Sequence, residues 1–243
     1  MKLRRYAVGL ALVLAGILAV PLPAQAAGAP AAGSIAWLRA DAGVTVNGSS
    51  VSNWADQSGG GHHAVMATPA RQPQLVQNAV NGQPALRFNG AQSMYFPSPV
   101  NPFTFSVFVV GKNSKSSGYS MILGPGGNYP NNQMRWENSN QALFVGLGNN
   151  MPVCTSTIGN NKVYHALSAR YDGNTMRVYR DGVLKSSHTF STNTGWTLVS
   201  IGSWFSSYFM VGDLAEVIVY QSALSDADRT ATDNYLRTKY ALP

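Results

Sequence analysis

The sequence predicts an all-β fold, an antiparallel two-sheet sandwich with one short C-terminal helix. Three observations predict it. Short β-rich segments recur along the chain with Asn-Gly and Asp-Gly pairs between them. No alternation of strand and helix patterns appears, as a parallel α/β sheet would require. The 243 residues are 45% apolar, 10% aromatic and only 11% charged, which supports one sizeable core and is unlike a disordered chain. Thirteen Pro and 24 Gly without a period exclude a collagen repeat and argue against a helical bundle.

The first residues lie outside this fold. Lys2, Arg4 and Arg5 precede an uncharged apolar run from Ala7 to Val20, and Ala24-Gln25-Ala26 fits a small-residue cleavage site. Residues 1–26 therefore read as a signal peptide, with a mature chain beginning at Ala27 that is secreted, extracellular or periplasmic. The run is short for a membrane span of about 20 residues, and no later stretch is a span either. No Cys lies near the cleavage site, so a lipid anchor is not expected. Removing three of the 17 basic residues and none of the ten acids leaves 14 − 10 = +4 from a formal +7. The remaining bases run from Arg39 to Lys239 without a cluster in sequence, so nucleic acid is not an expected partner. Cys154, the single cysteine, excludes internal disulfides and reads as a buried small hydrophobe.

Residues 27–34 form a small-residue linker, and 35–243 one domain. Phe103–Val110 and Ala142–Leu147 are β-rich runs of the kind buried in a sandwich. Val163 to Tyr171 alternates in period two. Asp172-Gly173 and Asp181-Gly182 punctuate two hairpins, because these pairs accept the positive φ of tight turns. Asn47-Gly48, Asn81-Gly82 and Asn89-Gly90 mark further turns. Leu198–Ile201 and Leu214–Tyr220 supply late strands. Ser225 and Asp228 form a capping box, which starts a helix over roughly 226–239 with Ala227, Ala231 and Tyr235 on one side. That helix is expected at the sandwich edge.

Several stretches then resemble a known family: AWLRADAGV (36–44), VSNWADQSGGGHHA (51–64), NGQPALRFNG (81–90), YHALSARYDGNTMRVYRDGVL (164–184) and the segment 212–242. Together they are similar to the bacterial laminin-G-like, concanavalin A-like lectin/glucanase domains. The resemblance covers nearly all of 35–242. It implies a jelly-roll of two curved antiparallel sheets, with ligands met on the concave face or at loop tips. It does not single out an activity, since that fold hosts lectins, adhesion modules, glucanases and lyases.

Catalytic chemistry is sparse. A glycosidase needs two carboxylates converging on one bond. Laminarinase-type members carry E-x-D-x-x-E on one strand, and nothing here matches it. The nearest piece is Asp213-Leu-Ala-Glu216, whose odd spacing predicts opposite faces of a strand. Asp213, Glu216 and Asn89 could supply part of a structural calcium site, although calcium usually takes more carboxylates. The alternative is that Glu216 accepts backbone hydrogen bonds from a neighbouring loop. His62, His63, His165 and His188 form no metal motif. Tyr119, Tyr129, Arg135, His165 and Arg170 are of the types a polysaccharide lyase uses.

Aromatic residues carry the stronger signal. Trp37 and Trp54 read as core. The connection Ser203–Phe209 between two expected strands should be polar, yet it holds Trp204, Phe205, Tyr208 and Phe209. A second long loop, 124–133, carries Tyr129 just before Arg135 and Trp136. Flat aromatics with nearby amide and guanidinium groups suit a sugar ring. Trp204, Phe205, Tyr208, Tyr129, Arg135 and Trp136 are therefore the candidate ligand-binding residues, unless the aromatics fold back onto the sandwich. The expected function is a secreted carbohydrate-binding or adhesion module for a polysaccharide or surface glycan. The alternatives are a polysaccharide-degrading enzyme on the same scaffold or a protein-binding surface domain.

Overall fold

The computed structural model describes residues 28–125, 132–137, 141–148, 153–157, 159–190, 195–205 and 207–243. The expected signal peptide and Tyr129 lie outside these residues. The first strands are β1 (Ser34–Arg39), β2 (Val44–Asn47), β3 (Ser50–Trp54), β4 (Ala64–Val65), β5 (Gln74–Val80), β6 (Gln83–Asn89) and β7 (Met94–Val100). Next come β8 (Phe105–Asn113), β9 (Tyr119–Pro125), β10 (Gln133–Glu137), β11 (Ala142–Gly146) and β12 (Val153–Thr157), which carries Cys154. The last strands are β13 (His165–Tyr171), β14 (Thr175–Arg180), β15 (Val183–Thr189), β16 (Leu198–Ile201) and β17 (Val211–Tyr220), followed by α1 (Asp226–Tyr240).

Among the described residues all strand pairs are antiparallel, and they fold into two layers. In the first, β17 pairs with β8 on one side and with β1 and β6 on the other, and the ladder continues from β8 through β13 and β14 to β15. The second runs β7, β16, β9, β10, β11, β12. Val107, Val109, Leu167 and Val217 of the first layer meet Ile122, Leu123, Met134, Trp136 and Ile201 of the second in one buried core. Phe105 stacks on Trp196 at 4.3 Å between ring centres within it. This is the expected jelly-roll sandwich. The turns follow their chemistry: Asn81 (φ 46°) with Gly82, and Asp181 (φ 50°) with Gly182, take the two positive φ values a tight hairpin needs.

Two expectations about position change. The helix does not sit at the edge. It covers the outer face of the first layer, where Tyr235, Leu236 and Tyr240 pack with Phe108, Ile218 and Tyr220 in a second apolar cluster. Ser225 caps it by accepting from the Asp228 amide at 3.1 Å. Its buried stripe is Thr232, Asp233, Tyr235, Leu236 and Tyr240, whereas Ala227 and Ala231 are exposed. Thr232 can be buried because its hydroxyl donates to the Asp228 carbonyl and accepts from the Ala31 amide.

Asp213 and Glu216 do not face opposite ways. The β17–β8 register shifts between Leu214 and Glu216, so Ala215 is an inserted bulge residue. Leu214 and Val217 both enter the inner core, while Ala215 and Ile218 face the helix side. Asp213 and Glu216 therefore share the outer face.

Candidate functional site

The outer face of the second layer is built by β9, β10 and β11. Alternation along β10 sends Met134 and Trp136 into the core and turns Gln133, Arg135 and Glu137 outward. Opposite Arg135 stand Met121 on β9 and Phe144 on β11. A register shift between Met134 and Arg135 places an extra residue, Ile122, in β9, so Met121 and Tyr119 stay on this outer row. Trp136 is 1% exposed in the core and is removed from the candidate binding residues. Its neighbour Arg135 remains.

Arg135 is a buried cation at the floor of this face. Its guanidinium lies 3.4 Å from the Phe144 ring centre and 4.3 Å from that of Tyr119. In plane, it donates to Gln133 Oε1 at 2.7 Å and to Glu137 Oε1 at 2.5 Å. The planar fork is thus held on its faces and at its edge, an arrangement that suits Arg and not Lys.

The aromatic connection between β16 and β17 folds over this floor. Trp204 and Ser207 exchange two backbone hydrogen bonds of 2.9 Å, which closes a tight turn around Phe205. Met121 donates its amide to the Tyr208 carbonyl, and Lys115 donates its ammonium to the Tyr119 and Phe209 carbonyls. Ser200 Oγ donates to the Ser203 carbonyl at 2.7 Å. Gly124 is required beneath this contact, because a Cβ there would stand 2.1 Å from the Ser203 carbonyl oxygen. The connection is therefore a pinned platform.

Its rings form a cluster. Trp204 lies 5.1 Å from Phe205 and 5.3 Å from Tyr208, and Tyr208 lies 5.5 Å from Tyr119. Tyr119, Phe205 and Tyr208 are 42%, 44% and 46% exposed, and Trp204 is half-buried. Singly exposed rings are ordinary, but contiguous ones mark an interaction surface. Phe205 and Tyr208 also adopt left-handed φ values of 51° and 49°. Such backbone costs a bulky residue about 1–3 kcal/mol, and residues strained in this way cluster at ligand-binding and active sites. Tyr119, Met121, Gln133, Arg135, Trp204 and Tyr208 line an open cavity of about 210 Å³. The structure thus brings Trp204, Tyr208 and Arg135 together, with Phe205 beside Trp204. It adds Met121, Gln133 and Tyr119, the last singled out in sequence only as a lyase-type residue. An exposed aromatic immediately after Gly118 at a strand start was its signal.

The other expected residues are occupied elsewhere. Asp213 accepts from both ends of the Arg87 guanidinium at 2.8 and 2.9 Å and from Tyr164 Oη at 2.8 Å, with Lys112 at 3.3 Å. Burial works to raise its carboxyl, but Arg87, Tyr164 and Lys112 outweigh it and hold it below the ordinary value. Glu216 is fully buried. It accepts from Trp37 Nε1, Tyr235 Oη, Tyr240 Oη and Lys239 Nζ at 2.6–2.9 Å. These are side-chain donors, not the backbone donors expected. Trp37 is correspondingly half-buried on the helix side, not part of the inner core. Asn89 is exposed at the end of β6. The two carboxylates are a poor setting for calcium, because protein cations already match them, Arg87 and Lys112 at Asp213 and Lys239 at Glu216. No group of three acidic, His or Cys side chains that could hold a metal occurs among the described residues.

His165 is likewise consumed, with Nδ1 at 2.8 Å from Asp181 and Nε2 at 2.7 Å from the Asn160 carbonyl. Arg170 pairs with Asp226 at the helix start. Neither reaches the aromatic cavity. A further cavity of about 300 Å³ lies against Trp37, Arg39, Asp41, Tyr235 and Lys239, but its charged groups are paired with one another.

The fold and this face define a lectin-like β-sandwich. The sequence profile of the concanavalin A-like lectin/glucanases superfamily matches residues 82–228, more than half of the chain, and the chain belongs to that superfamily. No curated protein sequence matches it. Among solved structures it is similar to Trypanosoma rangeli sialidase in complex with the inhibitor DANA, at 17% identity and a TM-score of 0.62, over 95% of this chain and 37% of the sialidase. It is also similar to domain 4 of an extracellular arabinanase from Geobacillus stearothermophilus in complex with arabinotriose. That match has 18% identity and a TM-score of 0.59, over 84% of this chain and 99% of the domain. At these identities the likeness concerns the fold. No helix among the described residues is long and apolar enough to cross a membrane.

Proposed function

We propose that this protein is a secreted glycan-binding module whose binding surface is the cluster of Tyr119, Trp204, Phe205 and Tyr208 above Arg135. The observation that carries the reading is the exposure of mutually contacting rings on a strained, pinned connection beside an open cavity. Sugar rings offer apolar C–H faces to such rings and hydroxyls to Gln133 and Arg135. Platforms fixed before binding lose little entropy on binding. The arabinanase domain supports the reading, since it shares the fold, is one domain of a larger protein and is in complex with arabinotriose. The described residues lining the cavity include no carboxylate, and nearby Glu137 is held by Arg135, which favours binding over hydrolysis. Export through the residue 1–26 signal peptide completes the proposal.

A polysaccharide panel tests it with two readouts on the same samples, retention in affinity electrophoresis and appearance of reducing or unsaturated chain ends. Retention without new ends, lost in Trp204→Ala and Tyr208→Ala, is expected. New chain ends would establish an enzyme instead. Retention unchanged in both variants would place binding elsewhere.

A further inference from the structure

The positive charge of the mature chain is unevenly paired. All 14 bases and ten acids of residues 27–243 fall within the described residues. Nine of the bases stand within 4 Å of a carboxylate. Of the other five, Arg237 donates to the Pro243 carbonyl and Lys185 lies on β15. The remaining three, Arg71, Lys115 and Lys162, gather at the aromatic connection. The Arg71 guanidinium lies 5.7 Å from the ring centre of Phe209, the residue after Tyr208. Lys115 spends two of its three N–H donors on the Tyr119 and Phe209 carbonyls, at 2.6 and 3.2 Å. Lys162 donates to the Lys115 carbonyl. Glu137, the acid beside the cluster, is already matched by Arg135.

Cations of a folded protein are usually dispersed among acids, and here three without carboxylate partners border Phe209 and the segment leading into β9, next to the exposed rings in sequence. Burial also moves the Lys115 ammonium below its ordinary value, the direction expected for a charge lacking a counter-ion. We infer that the aromatic site takes an acidic glycan, one bearing carboxylate or sulfate groups. The rings of Tyr119, Trp204 and Tyr208 meet the sugar faces, and Arg71, Lys115 and Lys162 meet the negative groups. The inference rests on the glycan-binding reading of the same site.

Matched polysaccharide pairs separate the two ideas: polygalacturonate against its methyl ester, and dextran sulfate against dextran. Affinity electrophoresis compares the wild type with Arg71→Gln/Lys162→Gln, Lys185→Gln and Tyr208→Ala, with thermal melts confirming the fold of each. The acidic member of at least one pair should be retained more strongly than its neutral partner, and less so as salt rises. The Arg71→Gln/Lys162→Gln variant should lose about tenfold of that affinity, as two exposed charge contacts would supply. Lys185→Gln removes one charge away from the site and should stay within about twofold. Equal retention of acidic and neutral members, with loss in Tyr208→Ala, would overturn the acidic preference and leave the glycan site standing. Acidic retention that Lys185→Gln weakens as much as the double variant, and that Tyr208→Ala does not change, would overturn both. Retention of no member of either pair would also overturn both.

Discussion

Replacing Glu216 by Gln should destabilise the protein by about 3–5 kcal/mol, the cost of breaking a buried ion pair from one side. The magnitude follows from the contacts. Oε1 accepts from Trp37 Nε1 at 2.6 Å and Tyr235 Oη at 2.9 Å, and Oε2 from Lys239 Nζ at 2.7 Å and Tyr240 Oη at 2.8 Å. A Gln amide has one oxygen, so whichever way it turns, two donors face an NH₂ group. Leaving each such donor unsatisfied costs about 1–3 kcal/mol. Lys239 in addition keeps only Asp41, at 3.0 Å, as a charged partner. Denaturant unfolding is the assay, with the midpoint falling and the slope unchanged. Adding Lys239→Met to Glu216→Gln should recover part of the loss, because the two sites share one interaction. A loss under about 1 kcal/mol would refute the reasoning. So would a calcium-dependent stabilisation of the wild type that Glu216→Gln abolishes, since the carboxylate would then be a metal ligand.

Stability should depend on pH in two opposite windows. Burial works to raise the Asp41 carboxyl, but Arg39 and Lys239 prevail and hold it at about 2, so its contribution is present above about pH 4 and lost as pH falls toward 2. Burial raises Asp233 to about 6 against the pull of Arg229, so the folded state binds the extra proton and stability falls as pH rises from about 4 to 6. Urea midpoints between pH 2 and 7 should show both slopes, and Asp233→Asn should remove the second. Trp204→Ala should cost well under the 3–5 kcal/mol of a core tryptophan, whereas Trp136→Ala should cost that much, by thermal melts of both. N-terminal sequencing of exported protein should begin at Ala27; an intact Met1 would refute the signal peptide.

The strand content was legible because turn pairs and β-rich runs are local signals. Leu198–Ile201 and the hairpins at Asn81-Gly82 and Asp181-Gly182 stand where the turn chemistry puts them. What failed depended on register. A single bulge at Ala215 moves Asp213 and Glu216 onto one face, and no propensity announces a bulge. The helix face was misjudged because Thr232 and Asp233 are buried through hydrogen bonds and an ion pair, while Ala227 and Ala231 face water. Trp136 and Arg135 are adjacent, and only the direction of alternation decides which one enters the core. The aromatic connection was visible because bulky rings in a short loop contradict ordinary turn composition. Tyr119 and Met121 join it only through the β9–β10 pairing, which links segments the sequence keeps apart.

The central claim is that the exposed rings bind sugar and do not hold the fold together. Tyr208→Ala tests it most directly, because Tyr208 is 46% exposed yet touches both Trp204 and Tyr119. Stability should change by no more than about 0.5 kcal/mol, as at other exposed positions. Affinity for the retained polysaccharide should fall by about 1–3 kcal/mol, the range of an aromatic anchor at a binding surface. Unchanged retention by a normally folded Tyr208→Ala variant would contradict the account, and so would a melting temperature that collapses with the ring.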